Sequence, residues 1–185
     1  GTTATTDRHG QANKALSFNG SSDYVDCGNG ASLNMTTAVT VSAWIKRTSA
    51  TYYGHPVIRP AADNTWNGPY VSYGFEYQTS TDNIIFVLGH ADNNYSYTIG
   101  QTPGNNVWFH AVGTYDGSFR RIYIDGVEKQ SVAETRTLKS TTAKLYMGVE
   151  NTLKVYPFNG SIADVRVYNR ALSATEVAQL YNEYR

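Results

Sequence analysis

The sequence predicts an all-β protein, a two-sheet antiparallel β-sandwich with a short C-terminal helix, on three observations. Apolar residues recur with period two in nearly every segment. Gly, Asn, Asp and Ser break those segments at short intervals, as the turns of antiparallel sheets require. Only the C-terminal stretch carries a helical pattern, so the roughly ten to fourteen strands that fit this punctuation must pack sheet on sheet.

In chain order, residues 1–9 of "GTTATTDRHG" are Thr-rich and aperiodic, and are expected as a flexible leader to one domain over residues 10–185. Opening without Met or a signal peptide, the chain reads as a mature or excised segment. "KALSFNG" and "DYVDCG" give two short strands around a turn at Asn19 to Ser22. "VTVSAWIKR" gives a longer strand with Val39, Val41, Ala43 and Ile45 on one side. Residues 48–69 hold turn formers and aromatics without a sustained period, apart from a short strand near Val57 and Ile58. A long irregular segment in a compact domain points to function.

"YVSYGFEYQ", "NIIFVLGH" and "YSYTIG" are three further strands joined by polar turns. In the first, Val71, Tyr73, Phe75 and Tyr77 share the expected core face, while Tyr70, Ser72 and Glu76 point the other way. "NVWFHAVGTYDGSFRRIYIDGVEKQ" folds back through Asp-Gly turns at Asp116 and Asp125. Trp108 here, and Trp44 earlier, are expected in the core. "KLYMGVE" and "SIADVRVYN" add two strands, and Ser173 with Glu176 forms an S-x-x-E capping box before Val177, Leu180 and Tyr181 on one helical face.

The 15 basic and 15 acidic side chains cancel, which leaves no electrostatic footprint for nucleic acid or an anionic membrane surface. The most apolar run, "NIIFVLGH", is too short to cross a bilayer, so membrane insertion is not expected. Without heptads or an apolar helix, a monomer is expected. Cys27 is the lone cysteine; it excludes an internal disulfide or a four-cysteine zinc site and is expected as a small packed side chain. No two His have zinc-site spacing, and neither a G-x-S-x-G elbow nor a phosphate-cradling glycine motif occurs.

Asp164 poses a problem of its own. From Ile162 to Tyr168 the residues alternate, with Ala163, Val165 and Val167 on one face and Asp164 on the other. Asp is disfavoured in strands, so its carboxylate must be solvated, paired with a cation or bound to a metal.

"ALSFNGSSDYVDCG", "VTVSAWIKR", "WFHAVGTYDGSFRRIYIDGVE" and "FNGSIADVRVYNRALSATEVAQLY", in that order from Ala15 to Tyr181, resemble the concanavalin A-like, laminin G-type jelly-roll domains of secreted bacterial proteins. The resemblance implies an extracellular, non-catalytic carbohydrate-binding module that tethers an enzyme or cell-surface protein to a polysaccharide. Adhesion or protein interaction is the alternative, and a jelly-roll polysaccharide lyase a second one. It also implies a structural calcium (Ca2+), which its pattern would place on Asn19, Ser22, Asp23 and Asp164, although Ala163 stands where many relatives have a second acid. His110 matches a structural position. Glucanases of the superfamily use E-x-D-x-x-E, and the six Glu here are scattered. A lyase could draw on His90, Tyr95, Tyr97 and Arg59, but the alginate-lyase motifs are absent.

Sugar recognition needs flat aromatic faces edged by planar polar groups. Two regions supply them. The irregular segment offers Tyr53, His55, Arg59, Trp66 and Asn67, with Trp66 foremost because no strand pattern buries it; Arg59 could grip a carboxylate or sulfate. The neighbouring strands offer Tyr70, Glu76, His90, Asp92 and Tyr95.

Overall fold

The computed structural model describes residues 1–49, 53–63, 70–78, 81 and 83–183. Two antiparallel sheets face each other. One has seven strands in the order β1 (Thr3–Thr5), β2 (Ala15–Asn19), β13 (Asn159–Tyr168), β4 (Val39–Arg47), β9 (Phe109–Tyr115), β10 (Phe119–Ile124) and β11 (Val127–Ala133). The other has six, in the order β3 (Val25–Asp26), β12 (Tyr146–Met147), β5 (Val57–Pro60), β6 (Val71–Tyr77), β7 (Asn83–Gly89) and β8 (Tyr95–Gln101).

Alternation builds the core as the sequence predicts. Val39, Val41, Ala43 and Ile45 of β4 meet Tyr73, Phe75 and Tyr77 of β6 and Ile84, Phe86 and Leu88 of β7. Val71 departs from its expected face. The β5–β6 register slips between Arg59 and Pro60, so Val71 joins an outer apolar cluster with Ile58, Ile85 and Val87. A bulge adds one residue, and one residue is enough to turn a side chain to the other face.

Helix α1 (Ala174–Glu183) starts at the expected box: Glu176 N–H donates to Ser173 Oγ at 3.3 Å, and Ser173 N–H donates to Glu176 Oε2 at 2.8 Å. Its Val177 and Leu180 cover Val112 and Tyr123 on the outside of the seven-stranded sheet. Tyr181 stacks on Trp44, which stacks in turn on His110. The middle of that sheet's outer face is thus covered, whereas no α-helix lies over the six-stranded sheet among the described residues. No helix of the described residues is long and apolar enough to cross a membrane.

The first residues, expected as a flexible leader, are placed as an edge: β1 pairs with β2, Thr3 opposite Ser17. Arg8 lies over the Trp44 ring at 4.2 Å and donates to Asp164 Oδ2 at 2.7 Å. Pairing satisfies backbone groups that Thr-rich composition alone does not locate. Cys27 is a correction, since it is exposed beyond β3 rather than packed.

Candidate functional site

Local sequence explains why the outer face of the six-stranded sheet carries polar chemistry. In β8, exposure alternates, so Tyr95 and Tyr97 stand out of the sheet while Ser96 and Thr98 point in. Tyr95 is 52% exposed and lies opposite Gly89, which has no side chain to shield the ring. In β6, Glu76 occupies the face opposite to Phe75 and Tyr77, as the alternation predicts.

Tertiary pairing then brings distant segments to Glu76. His55 N–H donates to Tyr156 O, and Gly148 N–H donates to His55 O, so the segment after β12 is stitched alongside the start of β5. The result is a row of rings: Tyr53 and Tyr156 at 5.5 Å, Tyr156 and His55 at 5.6 Å, His55 and Tyr70 at 6.5 Å, Tyr70 and Tyr95 at 5.5 Å. Tyr53 (φ 52°) and Tyr156 (φ 52°) both hold left-handed backbone, which costs bulky residues about 1 kcal/mol or more each and gathers at ligand clamps.

Beneath the row, Glu76 Oε2 accepts from Tyr70 Oη at 2.7 Å and lies 3.3 Å from His55 Nε2. Burial, reinforced by the Glu76 charge, pushes the Tyr70 phenol far up, so it remains a donor. Glu150 is 1% exposed; Asn151 Nδ2 donates to its Oε1 at 3.3 Å, and its Oε2 has no partner among the described residues. Burial lifts the Glu150 carboxyl to about 7, against the opposing pull of His55 and with the repulsion of Glu76.

That lift has a measurable consequence. Between pH 4.5 and about 7 the folded protein holds a proton at Glu150 that the unfolded chain has lost, so this group's contribution to stability falls as pH rises through that window. His110, depressed to about 4 chiefly by burial, acts in the opposite sense, because there the unfolded chain binds the extra proton. The difference between wild type and Glu150→Gln isolates the carboxyl. We expect the variant to melt above wild type at pH 8, by on the order of 3 kcal/mol of stability, and to lose that advantage at pH 4.5. Equal melting temperatures at both pH values would remove the buried charge from the account.

Several sequence-predicted residues are placed elsewhere. Arg59 is a correction: alternation sets it beside Tyr73 on the inner side, 1% exposed, with Nη2 donating to Thr141 O at 2.8 Å. His90 is another, sealed at 0% exposure with Nε2 2.7 Å from Ser96 Oγ and 3.4 Å from Glu134. Its pKa is lowered by burial, so it serves as a neutral packing group. Asp92 folds its own turn, accepting from Asn94 N–H at 3.0 Å. Tyr53, His55, Tyr70, Glu76 and Tyr95 are brought together; Trp66 and Asn67 lie outside the described residues. Glu150, Asn151 and Tyr156 were not foreseen. Their one sequence signal is an acid at the rim of a Gly- and Asn-containing turn, "GVENTLKVYP".

The expected calcium ligands do not converge. Asn159 of β13 faces Asn19, and Asp164 stands five residues further on, roughly 16 Å at about 3.3 Å per residue. Asp164 sits at a bulge with φ 50°, paired with Arg8, so the acid inside this strand has a cation beside it. Asn19 Oδ1 accepts from the N–H groups of Ser21, Ser22 and Asp23, and Asp23 Oδ2 accepts from Asn19 N–H. Those side-chain oxygens are thus taken up by donors of their own turn. The four residues do not fit one calcium site. Chelation is expected to leave the melting temperature unchanged; a drop would show that an ion gathers groups that the register holds apart.

The comparisons agree with this architecture. Domain 4 of AbnA, a GH43 extracellular arabinanase from Geobacillus stearothermophilus, solved in complex with arabinotriose, is 21% identical with a TM-score of 0.73, over 98% of this chain and 81% of its own. The binding domain of botulinum neurotoxin serotype G is 16% identical with a TM-score of 0.71, over 100% of this chain and 47% of its own. The serotype D ligand-binding domain, solved with N-acetylneuraminic acid, is 17% identical with a TM-score of 0.71, over 97% and 44%. The chain therefore spans about half the length of the neurotoxin domains, and at such identities the likeness is one of fold. Among curated protein sequences none matches. The family model Laminin_G_3, described as the concanavalin A-like lectin/glucanases superfamily, matches residues 19–178, and the chain belongs to that family.

Proposed function

We propose that this domain binds carbohydrate without transforming it, taking an oligosaccharide or a stretch of polysaccharide on the outer face of the six-stranded sheet. The observation that carries the reading is the ring row from Tyr53 to Tyr95 laid beside the buried carboxyl groups of Glu76 and Glu150. Aromatic faces take the apolar side of a pyranose or furanose, and fixed carboxylates orient its hydroxyls. The arabinotriose seen with one fold relative and the sialic acid seen with another support the choice of ligand class.

A lyase needs a base and a carboxylate clamp that reach the sugar together. Here His90 and Arg59 are sealed in the interior, and Tyr70 is held protonated. This favours the non-catalytic reading. The domain would then serve as the tether of a larger extracellular protein, holding a catalytic or cell-surface part near its polysaccharide.

The test is retention of the purified domain on a panel of neutral, amino and acidic polysaccharides, with absorbance of unsaturated uronates followed in the same wells. Retention without absorbance is the expected result. Rising absorbance would mean a lyase, and no retention anywhere would move the function to a protein partner.

A further inference from the structure

Glu150 sits in a loop that can move as a unit. Residues 149–157 lie between β12 and β13 and are closed at the neck by Phe158 N–H, which donates to Gly148 O at 2.9 Å, so the loop can lift without unzipping either sheet. Its tip, Thr152 to Lys154, is exposed, and Lys154 (φ 55°) and Tyr156 (φ 52°) hold left-handed backbone that stores strain. Two backbone bonds and a ring contact tie it to the rest of the domain. His55 N–H donates to Tyr156 O at 3.1 Å, Thr152 N–H donates to Asp63 O at 3.2 Å, and the Tyr156 ring packs against Tyr53 and His55.

Beneath the loop, the Glu150 side chain is sealed at 1% exposure, with Asn151 Nδ2 on Oε1 and no partner for Oε2 among the described residues. The titratable groups that act on it come from the neighbouring elements: His55 before β5, Tyr70 just before β6 and Glu76 within β6. A neutral carboxyl can stay in such a place, because it has no charge to desolvate. Ionised there it would lose its solvation and face Glu76, whereas lifting the loop returns it to water. Burial holds the sealed carboxyl at about 7, against 4.5 for an open one, so opening is favoured as pH rises through that window and closure as it falls.

We propose that Glu150 is a proton-operated latch on the ligand face: protonated, it stays sealed and keeps Tyr156 in the ring row; ionised, it leaves with its loop and takes Tyr156 out of the row. The domain then holds glycan in mildly acidic surroundings and releases it in alkaline ones. Release rests on the glycan-binding reading above and adds a regulation to it, while the loop movement needs no ligand.

The experiment is amide exchange of the wild-type domain at pH 5 and pH 8.5, expressed as protection relative to an unstructured chain, with the polysaccharide panel run at the same two values. The His55 and Thr152 N–H groups, whose acceptors lie across the loop boundary, are expected to lose roughly fifty- to a hundredfold protection at pH 8.5, the change that the two proton affinities allow. The N–H groups of β9, paired with β4, should keep theirs. Glu150→Gln cannot ionise, so its loop should stay protected and its retention on glycan should be the same at both pH values, whereas wild-type retention should fall at pH 8.5. Equal wild-type protection at both values would overturn the latch and leave glycan binding in place, as would the same loss in Glu150→Gln. Retention that ignores pH while the loop moves would overturn release. No retention at either pH would overturn the glycan reading, and release with it, while exchange still decides the loop movement. The wild-type contrast holds even where the variant fails to fold.

Discussion

Gly113→Ala should prevent the two sheets from closing and cost several kcal/mol of stability. Gly113 lies in β9 between Val41 of β4 and Ile122 of β10, and a Cβ built there would stand 2.2 Å from ring carbons of Phe86 on the facing sheet. Carbon atoms cannot approach so closely, and Phe86 is fully buried with no free volume to enter. Overpacking of this kind costs about 1–3 kcal/mol when a core can relax and more when a rigid ring meets backbone. We expect a loss at the upper end, on the order of 3 kcal/mol, or a melting point lowered by roughly 10 °C for a domain of this size. Shortening the ring in the double variant Gly113→Ala with Phe86→Leu should recover part of it, because the two positions share one contact. A single variant that melts like wild type would show that the sheets are further apart than described.

Tyr95→Ala should weaken glycan binding about tenfold to a hundredfold without changing the fold. The ring is 52% exposed, so its removal strips little from the core. It stands edge-on to Tyr70 at 5.5 Å and faces Gly89 across the ladder, which leaves it the most open member of the ring row. Exposed aromatic anchors carry a disproportionate share of binding energy. Tyr95→Phe keeps the face and loses the hydroxyl, so it should bind nearly as well if stacking is the source of affinity. Unchanged retention by Tyr95→Ala, with intact melting, would place the ligand elsewhere on the molecule even if the domain binds glycan. Trp66 and Asn67, outside the described residues, would then be the next positions to change.

Much of the fold was legible because its causes are local. Period two in β4 set Val39, Val41, Ala43 and Ile45 on the core face, and the Ser173 and Glu176 side chains capped the helix where the spacing put them. The Asp-Gly turns hold too: Asp116 Oδ1 accepts from Ser118 and Phe119 N–H groups between β9 and β10. Alternation likewise put Tyr70 and Glu76 on the outer face. Where it failed, a single inserted residue was enough. The slip between Arg59 and Pro60 moved Val71 outward, and the bulge at Asp164 broke the regular alternation of β13.

The sequence by itself determined that the chain is a two-layer antiparallel sandwich and which residues of β4 and, Val71 apart, of β6 line its core, whereas Trp44 and Trp108, also expected there, pack in an outer cluster. Those properties follow from nearest-neighbour periodicity, turn geometry and composition, which act over a few residues. Tertiary structure alone decided that Asp164 answers Arg8 across 156 positions, that Arg59 and His90 are sealed while Tyr95 is open, and that Glu150 and Tyr156 join His55 and Glu76. Such partnerships depend on which strands pair and in what register, and register is fixed by the packing of the whole core.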